Sequence, residues 1–186
     1  LKKAILLLVL ILLFSSVNAQ AFTTANIRPG YNALLYNVMV GTVAGEFGIK
    51  ALRIGVDAGL THTVGLEGTV SYRGELVNLV DLAAKFRVTE RGPTDLVFRL
   101  GFHGAPVDNW RVSLGFQMDQ ELASFLTGHA GGSISFGSGG LSWRYLSYFL
   151  GLDYSITTSA AIQLGVFKNI RDSNLGSIML GLRTRF

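Results

Sequence analysis

The chain has 186 residues, 49% of them hydrophobic and 15% charged, with a formal net charge of +4 and a mean hydropathy of +0.40. That length suits one domain, and the charge content is well below the roughly 25% of soluble domains. Cysteine is absent, which excludes disulfides, thiolate nucleophiles and thiolate metal sites; the small net charge, without a basic run, gives no case for nucleic acid.

The first element is a predicted signal peptide over residues 1–19. Lys2 and Lys3 form a positive start, Ala4 to Phe14 is an unbroken apolar run, and Val17 and Ala19 put small residues where a signal peptidase cuts. The apolar run is shorter than the roughly 20 residues a membrane-spanning helix needs. Removing Lys2 and Lys3 takes the charge from +4 to +2 in a mature chain of residues 20–186. That mature part has no apolar stretch of helix-spanning length, so any crossing must use strands.

Period-2 alternation then recurs along the chain. Leu52, Ile54, Val56, Ala58 and Leu60 oppose Arg53, Gly55, Asp57 and Gly59. Val64, Leu66, Val70 and Tyr72 oppose Glu67, Thr69, Ser71 and Arg73; Val80, Leu82, Ala84, Phe86 and Val88 oppose Asp81, Lys85 and Arg87. Leu96, Phe98, Leu100 and Phe102 oppose Arg99 and His103, and Val112, Leu114, Phe116 and Met118 oppose Arg111, Gln117 and Asp119. Further strands carry Leu146 to Ile156 opposite Asp153, Ile162 to Val166 opposite Gln163, and Ile178, Leu180, Leu182 and Phe186 opposite Arg183 and Arg185. In each, the charge lies on one parity and the apolar side chains on the other.

Two architectures accommodate such strands. A β-sandwich buries its apolar faces against each other. A transmembrane β-barrel turns them to lipid, closed on itself because every backbone group in hydrocarbon must be paired. The strand lengths, the Gly-rich polar faces, the short connections and the terminal aromatic residue all favour the closed antiparallel up-and-down transmembrane barrel. Eight strands are plain. Two more are expected at 31–43 and at 131–143, the latter a hairpin around Ser138-Gly139-Gly140. Ten strands are favoured over eight because GLTHTVGLEG and YSITTSAAIQLG read as the same turn, and like turns on one membrane side require an even number of intervening strands. In this version 120–130 is a periplasmic connection with room for a short helix; in the eight-strand version 120–142 is a surface loop and 22–45 a periplasmic or luminal segment.

The candidate site is the inner parity. Arg53, Asp57, Glu67, Arg73, Asp81, Lys85, Arg87, Arg99, Arg111, Asp119, Asp153 and Arg183 form an expected luminal charge network. Eight-strand barrels are just wide enough to be filled by their side chains, so paired charges closing the lumen are favoured over a narrow, anion-favouring pore. No catalytic constellation, metal site or cofactor site is expected. His62 falls in a turn and His129 in a Gly-flanked connection, and His103 would need a nucleophile such as Ser113 beside it to act as a base. Tyr36, Tyr72, Trp110, Trp143, Tyr148 and Tyr154 are expected in interfacial aromatic girdles.

The signal peptide, the alternating segments with Gly-rich inner faces and the final Phe186 together resemble the small bacterial outer-membrane β-barrels, broadly the OmpA/OmpX-like class. The resemblance implies the outer membrane as destination and outer-membrane lipid as surroundings. It also implies that Ile178, Leu180, Leu182 and Phe186 form the signal read by the barrel assembly machinery, with Thr184 a mild departure from the usual apolar choice. It does not fix an activity, because fold does not fix function. A structural or envelope role without catalysis is the expected function, with a narrow pore for ions or small solutes as the alternative, and oligomeric state is left open.

Overall fold

A computed structural model describes residues 24–43, 46–73, 76–91, 93–104, 110–137, 140–169 and 177–186. The predicted signal peptide, residues 1–19, lies outside them. Ten strands form one closed barrel: β1 (Asn32–Val43), β2 (Glu46–Gly59), β3 (Val64–Arg73), β4 (Leu76–Arg91), β5 (Thr94–Gly104), β6 (Arg111–Ala123), β7 (Leu126–Gly137), β8 (Gly140–Ser155), β9 (Ala160–Asn169) and β10 (Ser177–Arg185). Each pairs antiparallel with its neighbours in sequence, and β1 pairs with β10 to close the ring. The seam runs from Ala33 opposite Arg185 to Val40 opposite Ile178, and Phe186 N–H donates to the Asn32 carbonyl at 3.2 Å beyond it.

The alternation read from the sequence sets the two faces. Leu52, Ile54 and Val56 of β2 and Ile178, Leu180 and Leu182 of β10 point outward and stay exposed, Leu180 at 50%. Phe86, Phe98 and Phe116 form an aromatic row across the outside of β4, β5 and β6, with centroids 6.5 and 5.5 Å apart. A ring of apolar side chains around the whole wall is unfavourable in water and favourable in hydrocarbon.

The even strand number puts both described ends of the chain at one mouth, called here the near mouth. It also carries the turns after β2, β4, β6 and β8. The turns at 60–63 and 156–159 are the same structure. Thr61 Oγ1 accepts from the Thr63 and Val64 N–H groups, and Thr157 Oγ1 accepts from Ser159 and Ala160. Six strands separate them, as the ten-strand reading requires.

Residues 120–130 correct the sequence reading. They hold no helix: β6 runs on to Ala123, Ser124 and Phe125 make the turn, and β7 starts at Leu126. A register shift between Glu121 and Ala123 breaks the alternation there, which is what a β-bulge does. Of the girdle candidates, Tyr72, Trp110 and Tyr148 lie toward the far mouth, and Tyr36 and Tyr154 in the near half of the outer face. Trp143's side chain lies outside the described residues.

Candidate functional site: the barrel lumen

Inward positions from all ten strands meet in the lumen. Arg99 on β5 is its electrostatic hub, 1% exposed. Its Nε pairs with Glu67 on β3, its Nη2 donates to Asp81 on β4 at 2.6 Å, and its Nη1 donates to Ser113 Oγ on β6 at 3.0 Å. Gln117 Nε2 donates to the other Glu67 oxygen at 3.3 Å. Lys85 on β4 pairs with Asp57 on β2 and approaches Glu67 to 3.9 Å. Asp57, Lys85, Glu67, Arg99 and Asp81 thus form one connected chain of alternating charge.

A second cluster lies across the lumen. His129 on β7 has Nδ1 2.7 Å from Asp119 and Nε2 3.3 Å from Asp153. Asp153 also accepts from Arg183 at 2.8 Å and from Gln163 Nε2 at 3.0 Å. The His129 ring thus has a carboxylate on each side.

The sequence-predicted set therefore divides. Asp57, Glu67, Asp81, Lys85 and Arg99 come together in the first cluster, and Asp119, Asp153 and Arg183 in the second. Arg53 is buried but lies apart, its guanidinium over the Phe167 ring at 5.8 Å. Arg87 and Arg111 are half-buried, and Arg73, the last residue of β3, is exposed. His62 is exposed in its turn. Ser113 is bound to Arg99, and no hydrogen bond among the described residues joins it to His103.

His129 corrects the sequence reading: it is a buried strand residue, not part of a connection. Its signal was present, since Thr127, His129, Gly131, Ser133 and Ser135 share one parity, but the stretch before it lacks alternation. Gln117 and Gln163 complete the two clusters as amide donors. On the outer face, Ile178, Leu180, Leu182 and Phe186 are exposed.

The ten-strand reading assigns nothing to the segment before β1, and only the eight-strand alternative allowed 22–45 a luminal place. Thr24, Ala25 and Ile27 are fully buried, inside the barrel. The Thr24 N–H and hydroxyl both donate to Asp57 Oδ2 at 3.1 Å, and Lys85 Nζ donates to the Thr24 carbonyl at 2.8 Å. Ala25 and Ile27 pack with Val97 of β5. Pro29 and Gly30 then reverse the chain: Tyr31 N–H donates to the Arg28 carbonyl at 3.0 Å, and Gly30 has φ 79°, which only glycine adopts readily. Tyr31 lies under Arg185, 5.5 Å from guanidinium carbon to ring centroid. Burial raises its phenol above the ordinary tyrosine range, against the pull of Arg183.

No protein-family model matches the chain, and no curated protein matches it. Among solved structures, the KdgM porin is similar over 83% of this chain and 99% of the porin, at 10% identity and a TM-score of 0.53. The KdgM porin in complex with disordered oligogalacturonate is similar over the same shares, at 10% identity and a TM-score of 0.52. At such identity the likeness is one of fold, and with the apolar outer wall it makes this chain a membrane β-barrel.

Proposed function

We propose that the chain is an integral outer-membrane β-barrel of a diderm bacterium, exported by cleavage of residues 1–19, with a structural role in the envelope and a lumen closed by its own side chains. The observation that carries this reading is the burial of the Arg99 chain: Lys85 and Asp57 at 0% exposure and Arg99 at 1% are charges packed against each other in the lumen. The near mouth, with both described ends of the chain, faces the periplasm in this reading. Outer-membrane lipid meets the outer face, and Ile178, Leu180, Leu182 and Phe186 serve the assembly machinery. Ten strands put the chain one hairpin beyond the eight-stranded OmpA/OmpX type. Catalysis is not part of the proposal: Ser113, the hydroxyl that a base at His103 would need, is engaged by Arg99.

The second reading is a narrow pore for ions or small solutes. It is favoured by the fold likeness to a porin and by one observation: part of what fills the lumen is the segment before β1, which is not wall. Anion preference would follow from Arg53, which has no carboxylate within ion-pair distance among the described residues. Single-channel conductance of the purified protein in a planar bilayer separates the two. The closed-lumen reading expects a silent bilayer with the protein shown to be inserted; steady, reproducible openings of the unmodified chain would overturn it.

A further inference from the structure

The segment Thr24–Tyr31 differs in kind from the rest of the luminal filling. An arginine or lysine side chain can swing to the wall in nanoseconds once wetted. A backbone segment cannot, and this one lies across the near mouth as far as the Asp57–Lys85 pair. The wall is shaped to take it. A Cβ at Gly59 would stand 2.0 Å from the Arg28 carbonyl oxygen, so β2 ends on a glycine where the segment passes.

The attachments include three hydrogen bonds at Thr24, the apolar seat of Ala25 and Ile27 on Val97, the turn at Pro29-Gly30, the Gly59 N–H donating to the Tyr31 carbonyl at 2.7 Å and Arg185 over the Tyr31 ring, all of them non-covalent. The wall does not need them. Lys85 and Asp57 pair directly with each other, and the β1–β2 and β1–β10 ladders start at Asn32 and Ala33. The segment can therefore leave and the barrel stay closed as a ring. What it would uncover is a groove of Gly59, Gly65, Val97, Asp57 and Lys85, two of them charged and able to hold water.

We infer that Thr24–Tyr31 is a tethered plug, and that its withdrawal through the near mouth converts the closed barrel into a conducting one. The inference rests on the pore reading and names its gate. Arg28 and Pro29, exposed at the mouth, are the handle by which a periplasmic event would draw the segment out.

The test uses the folded mature protein and two variants. The first lacks residues 20–27 and keeps Arg28 to Tyr31, the turn closed by the Tyr31 N–H on the Arg28 carbonyl. It should give steady openings in a planar bilayer where the intact chain gives none. If the variant is shown to be inserted and stays silent, the gate is disproved while the closed-lumen reading stands. If the intact chain conducts as well as the variant, the segment obstructs nothing and the closed-lumen reading falls too. The second variant, Ala25→Cys, keeps the whole chain and places a single thiol in a protein that has none. Ala25 is fully buried, so a membrane-impermeant maleimide should label the folded protein slowly, and faster when voltage or mild denaturant favours the open state. Complete protection under those conditions would show that the segment never leaves, and would overturn the inference even if the deletion failed to fold.

Discussion

Arg99 holds three partners from three different strands, so its loss would be felt across β3, β4, β5 and β6. Arg99→Ala takes from Glu67 and Asp81 the cation they share, and breaking a buried ion pair from one side costs about 3–5 kcal/mol. Thermal unfolding in detergent should therefore drop far more for Arg99→Ala than for Val56→Ala on the lipid face. Equal, small losses from both would mean that the luminal charges are not paired in solution. Tyr31 gives a pH dependence with a defined sign. Its phenol is favoured neutral in the folded chain, so its contribution is intact below the ordinary value of 10.0 and is lost as pH rises through the raised folded-state value. Wild type should lose more stability than Tyr31→Phe between neutral pH and roughly one unit above the ordinary phenol value of a tyrosine. A parallel decline of the two proteins would remove Tyr31 from the account. Among the luminal residues, those on regular strands were legible from parity alone. His129 was not, because Glu121 to Phe125 obeys no period, the physical trace of the bulge between Glu121 and Ala123.

Elements were legible in proportion to how regular their surroundings are. The two four-residue turns at 60–63 and 156–159 use a threonine oxygen to cap two N–H groups, and their shared sequence pattern was enough to choose ten strands over eight. The turn between β6 and β7 is Ser124-Phe125, with neither glycine nor proline to mark it, and the strands on each side were therefore missed in part. A luminal place for 22–45 came only with the eight-strand alternative; beside ten strands, Thr24–Tyr31 was not legible as luminal filling. It has no alternation, and its burial depends on partners from β2, β4 and β5, distant in sequence. β8 offers the cleanest test of inside and outside. Leu150 belongs to its outer parity, between Tyr148 and Leu152, and an arginine at the bilayer midplane of a barrel costs about 2–4 kcal/mol. Leu150→Arg should reduce the fraction that inserts into liposomes; normal insertion would mean the face assignment is inverted.

For the molecule as a whole, the unequal ends matter most. The near half of the lumen carries Asp57, Glu67, Asp119 and Asp153 with their cations and the buried segment. The half toward the far mouth carries Arg53 against an apolar group of Met39, Ala51, Phe149, Phe167 and Met179. Close packing there depends on small residues: a Cβ at Gly131 would stand 2.4 Å from the Phe149 ring. The two halves are closed by different means, the near one by ion pairs and backbone and the far one by aromatic and thioether packing.

The attachment of Thr24–Tyr31 also has a mechanical consequence. Force applied at its amino end loads the contacts of Thr24 and Ile27 one after another, as in peeling, before any strain reaches the ladder that begins at Asn32. The seven residues before Tyr31, whose carbonyl is held by the Gly59 N–H, would come free first and lengthen the tether by roughly 24 Å, at 3.3–3.6 Å per extended residue. The ring behind them, held by ladders on both sides of β1, would still be whole, so the molecule is built with a weak part and a strong part in series.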